Sequence, residues 1–322
     1  MKAIVVEDKK LRWADVAQSP MGVADVRIAV HASAVNRADL AQRAGSYPPP
    51  PGASEILGLE CSGEVCEVGE EVARVAVGDK VCALLAGGGY AEEVVVPAGQ
   101  VLPIPANFTM LEAAAIPEVF ATAYLNLYME ADLQTAERVL LHAGASGVGT
   151  AAIQLCRATN NPCFVTAGSA SKIEECVTLG AAAGWDRHSG SFAQAVLEWS
   201  EECGADVILD PVGAGYLADN LKCLAIDGRL VIIGLMGGME ASVNLALMMV
   251  KRQRIIGSTL RARSIAAKAA IMDNLHTQVW PLLEDGTIKP IIDEVVPITE
   301  TERAHELVAA DGTIGKVVLQ VV

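Results

Sequence analysis

Between Ala143 and Gly149 the chain reads Ala-Gly-Ala-Ser-Gly-Val-Gly, after an apolar run at 138–143 and before a segment whose Val148, Ala151, Ala152 and Leu155 recur at spacings of three and four. Run, glycine turn and amphipathic helix, in that order, spell a strand–turn–helix unit. Such a turn presents backbone N–H groups and the positive end of a helix to a pyrophosphate. Gly144 supplies the bend, Gly147 and Val148 open the helix, and Ser146 either caps it or reaches the phosphate. The spacing is Gly-x-x-Gly-x-Gly rather than the commoner Gly-x-Gly-x-x-Gly, so a plain tight turn is the competing reading.

The next apolar run, 163–167, ends in Thr166-Ala167-Gly168-Ser169-Ala170-Ser171-Lys172. An NAD-binding unit carries an acidic residue about 20 positions on, which accepts from the adenosine ribose hydroxyls. None stands here. Gly168, Ser169 and Lys172 offer small groups and one ammonium to a 2′-phosphate instead, so NADPH is the expected cofactor. Arg187, between the runs at 163–167 and 205–209, is a second candidate phosphate ligand, with a solvated surface arginine as the alternative.

Turns of this kind need a parallel sheet behind them. Between about 138 and 258, apolar runs at 138–143, 163–167, 205–209, 229–233 and 254–258 alternate with helix-period segments, the pattern of a doubly wound sheet. The runs are continuously apolar, as strands covered on both faces require. Residues 1–105 have a different texture, with short β-like runs at 3–6, 26–35, 63–68, 80–85 and 91–96 punctuated by glycine and proline, which argues for a barrel-like or sandwich-like unit. The tail spells a helix at 264–283, a strand at 291–297, a helix at 300–309 and a strand at 316–321, and is expected to rejoin the first unit.

Composition restricts what such a chain can do. Its 322 residues suffice for two compact units. The net charge of −15 argues against nucleic acid and anionic lipid. No stretch approaches the ~18 apolar residues of a membrane span, and the apolar run near the start is too short for a signal peptide. The eight cysteines form no Cys-x-x-Cys pair and read as reduced core thiols of a cytoplasmic protein. The five histidines include no short-spaced pair and read as core or surface residues.

Gly58-Leu59-Glu60-Cys61-Ser62-Gly63, the 143–149 turn and Asn36-Arg37-Ala38-Asp39 together resemble the medium-chain dehydrogenase/reductase superfamily in its quinone oxidoreductase branch. The resemblance runs the length of the chain. Through Tyr47-Pro48-Pro49-Pro50-Pro51-Gly52-Ala53-Ser54, residues 144–155 and Thr166-Ala167-Gly168-Ser169, the chain is most similar to the p53-inducible type of NADPH quinone oxidoreductase. It implies an α/β fold in which a GroES-like, mostly β catalytic domain at 1–120 and 262–322 flanks a Rossmann cofactor domain at 121–261. The active site is then expected in the cleft between the two, and a homodimer through the cofactor domains. It further implies that Thr122 lies near the nicotinamide ribose, that Gly234, Leu235 and Met236 line the nicotinamide pocket, and that Leu260 and Arg261 are late contributors. For Met236 and Leu260, core packing is the alternative.

The departures from the zinc-dependent branch fall on metal ligands: Leu59 stands where those enzymes have histidine and Asn36 where they have cysteine. The structural zinc lobe is missing as well, so no metal is expected. A reductase without a Lewis acid needs an electrophilic acceptor, such as a quinone or enone, and a hydrogen-bond donor for the oxygen that gains charge. Tyr47 is the candidate donor, against a role as an aromatic lid on the proline loop. Asn36 matches the family position near the nicotinamide and would orient ribose or substrate, against a role as an ordinary turn amide. Asp39 reads as structural. The expected activity is NADPH-dependent quinone reduction, by hydride or single electrons. The alternatives are an enone or enoyl-thioester reductase, and a low-turnover NADPH-binding or RNA-binding protein of the zeta-crystallin kind, for which Lys251-Arg252-Gln253-Arg254 is the basic run to inspect.

Overall fold

The computed structural model describes residues 1–321 and divides into two compact units, Met1–Ala121 with Leu260–Val322 and Thr122–Thr259. The second unit holds a six-stranded parallel sheet. Across it the strands run Ala183–Asp186, Cys163–Ala167, Val139–Leu141, Ala205–Asp210, Leu224–Ile232 and Arg254–Gly257. The order therefore reverses beside Val139–Leu141, the strand that feeds the glycine turn. In an open parallel sheet that reversal leaves a crevice at the carboxyl ends of the strands, where ligands bind. Both faces of the central strands are covered, and Val139, Leu140, Leu141, Val207 and Ile208 are fully buried.

The first unit is built on a seven-stranded sheet of mixed direction. Its central strand, Asp25–Ala34, pairs antiparallel with Glu60–Val68, Glu93–Pro97 and Lys316–Gln320. Val26, Ile28 and Val30 point into one apolar cluster with Val65, Val81 and Val94, the period-two burial that a half-covered sheet produces. A second cluster gathers Ile4, Val35, Leu57, Tyr90, Val317 and Leu319. The last strand, Lys316–Gln320, is thus paired with the first long strand, which ties the C-terminal tail into this sheet.

The tail departs from the sequence expectation at one point: the helix expected over 264–283 is two helices, Ile265–Gln278 and Trp280–Glu284. Pro281 explains the break. It has no N–H to continue the ladder, and it occupies the first turn of the second helix, where none is needed. A strand unread in the sequence, Lys10–Asp15, pairs with Lys2–Glu7 in a hairpin whose turn places Asp8 and Lys9 at positive φ. Among the described residues no helix is long and apolar enough to cross a membrane. The eight cysteines are unpaired thiols, buried except for Cys66 and Cys203.

Candidate functional site

In the second unit the turn that follows Val139–Leu141 leads into the helix Gly147–Ala158. Ser146 caps this helix, its Oγ accepting from Gly149 N at 3.1 Å. Ala143, at φ +53°, takes up the left-handed bend. A Cβ at Gly149 would stand 2.4 Å from the carbonyl oxygens of both Ala143 and Gly144, so only glycine lets the helix start this close to the strand. The Gly144 N–H donates to Thr166 O at 2.9 Å, tying the turn to the neighbouring strand.

Sequence reasoning missed the side chains that hold this turn in place. His142 immediately precedes it and is buried, with Nε2 2.7 Å from Asn220 Oδ1 and Nδ1 2.9 Å from Thr166 Oγ1. Asn220 Nδ2 donates to Asp210 Oδ2 at 3.0 Å, which leaves its Oδ1 to accept and assigns the histidine proton to Nε2. Nδ1 then accepts from the Thr166 hydroxyl. Burial lowers the His142 pKa to about 4, so the ring is neutral at physiological pH. The rings of Phe192 and Tyr216 meet it edge-on, each 4.7 Å away between centroids. Nothing in the sequence pattern paired a histidine with an asparagine 78 positions later.

At the ends of the next two strands the structure places Gly168, Ser169, Lys172 and Arg187 in one neighbourhood. Ser169 caps the helix Ala170–Leu179 and accepts from Lys172 N at 3.3 Å. A Cβ at Gly168 would lie 3.5 Å from Arg187 Nε, so the exposed guanidinium stands beside bare backbone. The segment after Leu224–Ile232 is laced to 211–212, Gly237 N donating to Val212 O at 2.7 Å, and a Cβ at Gly234 would be 2.7 Å from Pro211 O. Leu235 and Met236 are 52 % and 54 % exposed, which removes core packing as the reason for Met236. Leu260 is buried and belongs to the first unit, where packing accounts for it. Thr122 is half-buried in the helix Pro117–Tyr124, its carbonyl accepting from Asn126 Nδ2.

The first unit holds a different cluster. Asn36 caps the helix Arg37–Ala44, and its backbone N–H donates to Asp39 Oδ2 at 2.8 Å. Asp39 is fully buried and also accepts from Gly58 N and Tyr90 Oη, the structural role expected of it. Burial nevertheless raises its pKa to about 6. The Asn36 amide is heavily used: Nδ2 donates to Ala34 O at 3.2 Å and Glu60 Oε1 at 3.0 Å, while Oδ1 accepts from Lys316 Nζ at 2.6 Å. Both amide hydrogens are therefore engaged, leaving one oxygen lone pair for a ligand. Lys316 Nζ also lies 2.8 Å from Glu60 Oε1, an ion pair with 4 % and 0 % of its two side chains exposed. The sequence reading assigned no role to Glu60 or Lys316. The signal available was a lysine at the start of an otherwise apolar strand, Lys316-Val317-Val318-Leu319.

Tyr47 is half-buried on the proline loop, with the Arg261 guanidinium carbon 5.4 Å from its ring centroid. Arg261 is fixed by Ala86 O at 2.8 Å and Gln42 Oε1 at 2.7 Å. The Tyr47 phenol makes no hydrogen bond among the described residues. Burial raises its pKa, partly offset by the Arg261 charge, so the phenol keeps its proton at physiological pH.

A two-unit chain with a parallel six-stranded nucleotide-type sheet and a mixed GroES-like sheet is a medium-chain dehydrogenase/reductase, and comparison with known proteins agrees. Residues 22–106 match the family described as alcohol dehydrogenase GroES-like domain, and residues 147–275 the one described as zinc-binding dehydrogenase. The quinone oxidoreductase-like protein 2 of Bos taurus is 31 % identical over 308 residues, spanning 95 % of this chain and 87 % of that protein. The crystal structure of the quinone oxidoreductase of Pseudomonas syringae pv. Tomato DC3000 superposes with a TM-score of 0.86 at 26 % identity, over 99 % of each chain. The crystal structure of an NAD-dependent alcohol dehydrogenase gives a TM-score of 0.88 at 29 % identity, over the whole of both chains. The chain belongs to the medium-chain dehydrogenase/reductase superfamily of oxidoreductases, among its quinone oxidoreductase-like members.

The zinc that one family description implies does not fit the residues present. Among the described residues no group of three or more histidines, cysteines, aspartates or glutamates stands together as ligands. Leu59 is an apolar core residue, and the Lys316 ammonium already supplies a cation to Asn36 and Glu60. Two of the three cations in the run 251–254 have partners: Lys251 Nζ donates to Lys222 O and Leu224 O, and Arg252 pairs with Asp227 at 2.6 Å. Of this run only Arg254, the first residue of the edge strand, is exposed without a side-chain partner among the described residues.

Proposed function

We propose that this protein reduces small quinones with NADPH and without a metal ion. The observation that carries the reading is the Tyr47 phenol, a protonated donor with no partner of its own, held under the Arg261 guanidinium in a unit where Lys316 joins Asn36 and Glu60 and no ligand cluster for a metal stands among the described residues. A quinone is already electrophilic, so a hydrogen bond to its carbonyl oxygen does the work that zinc does for an alcohol. Gly144, Ser146, Gly147 and Val148 would hold the pyrophosphate, while Gly168, Ser169, Lys172 and Arg187 would hold the 2′-phosphate. Thr122, Gly234, Leu235 and Met236 would receive the nicotinamide end. The bound cofactor supplies a hydride; Tyr47 orients the acceptor and stabilises the oxygen that becomes negative.

The NADPH preference rests on this chain's own residues, since the alcohol dehydrogenase noted above is NAD-dependent. Replacing Lys172 with glutamate is expected to raise the KM for NADPH by roughly 10- to 100-fold, the worth of one charge-assisted hydrogen bond, while the KM for NADH barely changes. An equal effect on both coenzymes removes the assignment.

NADPH absorbance followed across a panel of quinones, enones and an enoyl thioester tests the reaction itself. Turnover of 1,2-naphthoquinone far above that of the enoyl thioester is expected, and the reverse ranking makes the enone reading the correct one. On the best acceptor, Tyr47→Phe is expected to lower kcat by roughly 10²-fold with little change in melting temperature. Unchanged kinetics would leave Tyr47 a packing role only.

The same reading includes a homodimer through the second unit. Its edge strand, Arg254–Gly257, has one sheet neighbour, and Leu245, Met249 and Val250 beside it are largely exposed. An open strand edge flanked by apolar side chains is suited to a second copy of the same surface.

A further inference from the structure

Glu118 is the one carboxylate of the Tyr47 cluster for which neither the reaction nor the fold has yet supplied a use. It lies in the first turn of the helix Pro117–Tyr124, and its backbone N–H donates to Glu60 Oε2 at 2.9 Å. Its carboxyl group makes no hydrogen bond or ion pair among the described residues and remains partly accessible. The charged groups that act on it are Glu60, Asp39, Lys316 and Lys268. Tyr47 and Arg261 both respond to its charge in turn. Lys268 is itself held, its Nζ donating to Arg261 O at 3.1 Å. All of these belong to the first unit.

We propose that Glu118 is the general acid of the reaction, donating its carboxyl proton to the acceptor oxygen that Tyr47 orients. The inference rests on the reductase reading above. Reduction of a quinone to a hydroquinone takes one hydride, which brings both electrons from NADPH, and one proton. In the proposed step the Glu118 O–H bond breaks as an O–H bond forms on the acceptor, and the carboxylate left behind is reprotonated from water. Tyr47 then polarises the acceptor without giving up its own proton. A general acid must hold a proton at working pH, and the surroundings of Glu118 arrange that. Burial first, and the neighbouring Glu60 carboxylate second, push its pKa up to about 8, against the opposing pull of Lys316 and Lys268. At pH 7 roughly nine molecules in ten then carry the proton.

The first measurement needs neither cofactor nor substrate: carboxyl ¹³C resonances of the protein labelled at glutamate, followed from pH 5 to pH 10. One resonance is expected to titrate near pH 8, to be missing in Glu118→Gln, and to move to higher pH in Lys268→Met, where an opposing positive charge is gone. Absence of any carboxyl titrating above pH 6.5 overturns the proposal. The second measurement is kinetic. Glu118→Gln keeps size and polarity but has no acid proton to give, so kcat should fall by roughly 10²-fold. The wild-type decline in kcat above pH 8 should also disappear. A merely structural carboxyl predicts unchanged kcat and an unchanged pH profile, and that result overturns the proposal. Should the glutamine variant fail to fold, judged by circular dichroism, the wild-type resonance and Lys268→Met decide alone. If the wild-type protein oxidises NADPH with no quinone or enone, the reductase reading fails and this inference with it. Turnover by wild type that Glu118→Gln matches sinks the inference alone.

Discussion

Gly149→Ala is expected to lower nucleotide affinity at least tenfold and to destabilise the second unit by ~1–3 kcal/mol, the usual cost of overpacking. One methyl group does this because its neighbours are backbone. The added Cβ would meet the carbonyl oxygens of Ala143 and Gly144 at 2.4 Å, and neither can rotate away as a side chain would. The helix must retreat from the strand, and as it does the Gly149 N–H leaves Ser146 Oγ, so the helix also loses its cap. The bare N–H groups that would face a pyrophosphate then no longer converge. Calorimetric titration with NADPH reads the affinity and urea denaturation the stability. If Gly149→Ala binds NADPH as wild type does, the turn at 143–149 does not carry the pyrophosphate, and the cofactor assignment must move elsewhere. Ser146→Ala offers a graded companion, since it removes the cap without crowding the turn.

How much of this was legible in the sequence depended on how local the signal was. Five of the six strands of the second unit could be read to within about five residues because continuous apolar runs and helix-period segments alternate along the chain; the sixth, Ala183–Asp186, is too short and mixed a run, Ala-Gly-Trp-Asp, to stand out. The residues proposed to hold the 2′-phosphate, Gly168, Ser169 and Lys172, could be located for the same reason: they follow one strand directly. The helix expected over 264–283 was overextended because hydrophobic periodicity survives a break that Pro281 makes in the backbone. The least legible parts were pairings of distant residues. Lys316 and Glu60 are 256 positions apart and meet only because the last strand lies beside Asp25–Ala34. His142 and Asn220 meet only because the order of the parallel sheet brings their elements together. Glu118 reads in the sequence as one more acid at a helix start, where it would favour the helix dipole. Its lack of a partner is a property of the folded surroundings alone.

Lys316→Met should produce the largest loss of stability in the first unit, about 3–5 kcal/mol, because it leaves a buried carboxylate without its counter-charge. Glu60 is wholly buried, and with the ammonium gone it keeps only the Asn36 amide and the Glu118 N–H as partners. Methionine fills the space of the lysine stem but offers no proton, so Val35 O and Asn36 Oδ1 also lose a donor. Removing both charges is a gentler change than removing one: Lys316→Met combined with Glu60→Gln should recover part of the loss, and a double-mutant cycle gives the coupling directly. The single variant should also move the Glu118 titration to higher pH, since Lys316 is one of the charges that hold it down. These two readouts separate the roles of the lysine. A stability loss with Glu118 unmoved would mean that the ammonium serves the fold only. A loss below 1 kcal/mol would mean that water reaches Glu60 and that the ion pair is not sealed from solvent. If both changes appear together, one buried lysine stabilises the strand pairing of the last residues and tunes the proton content of Glu118.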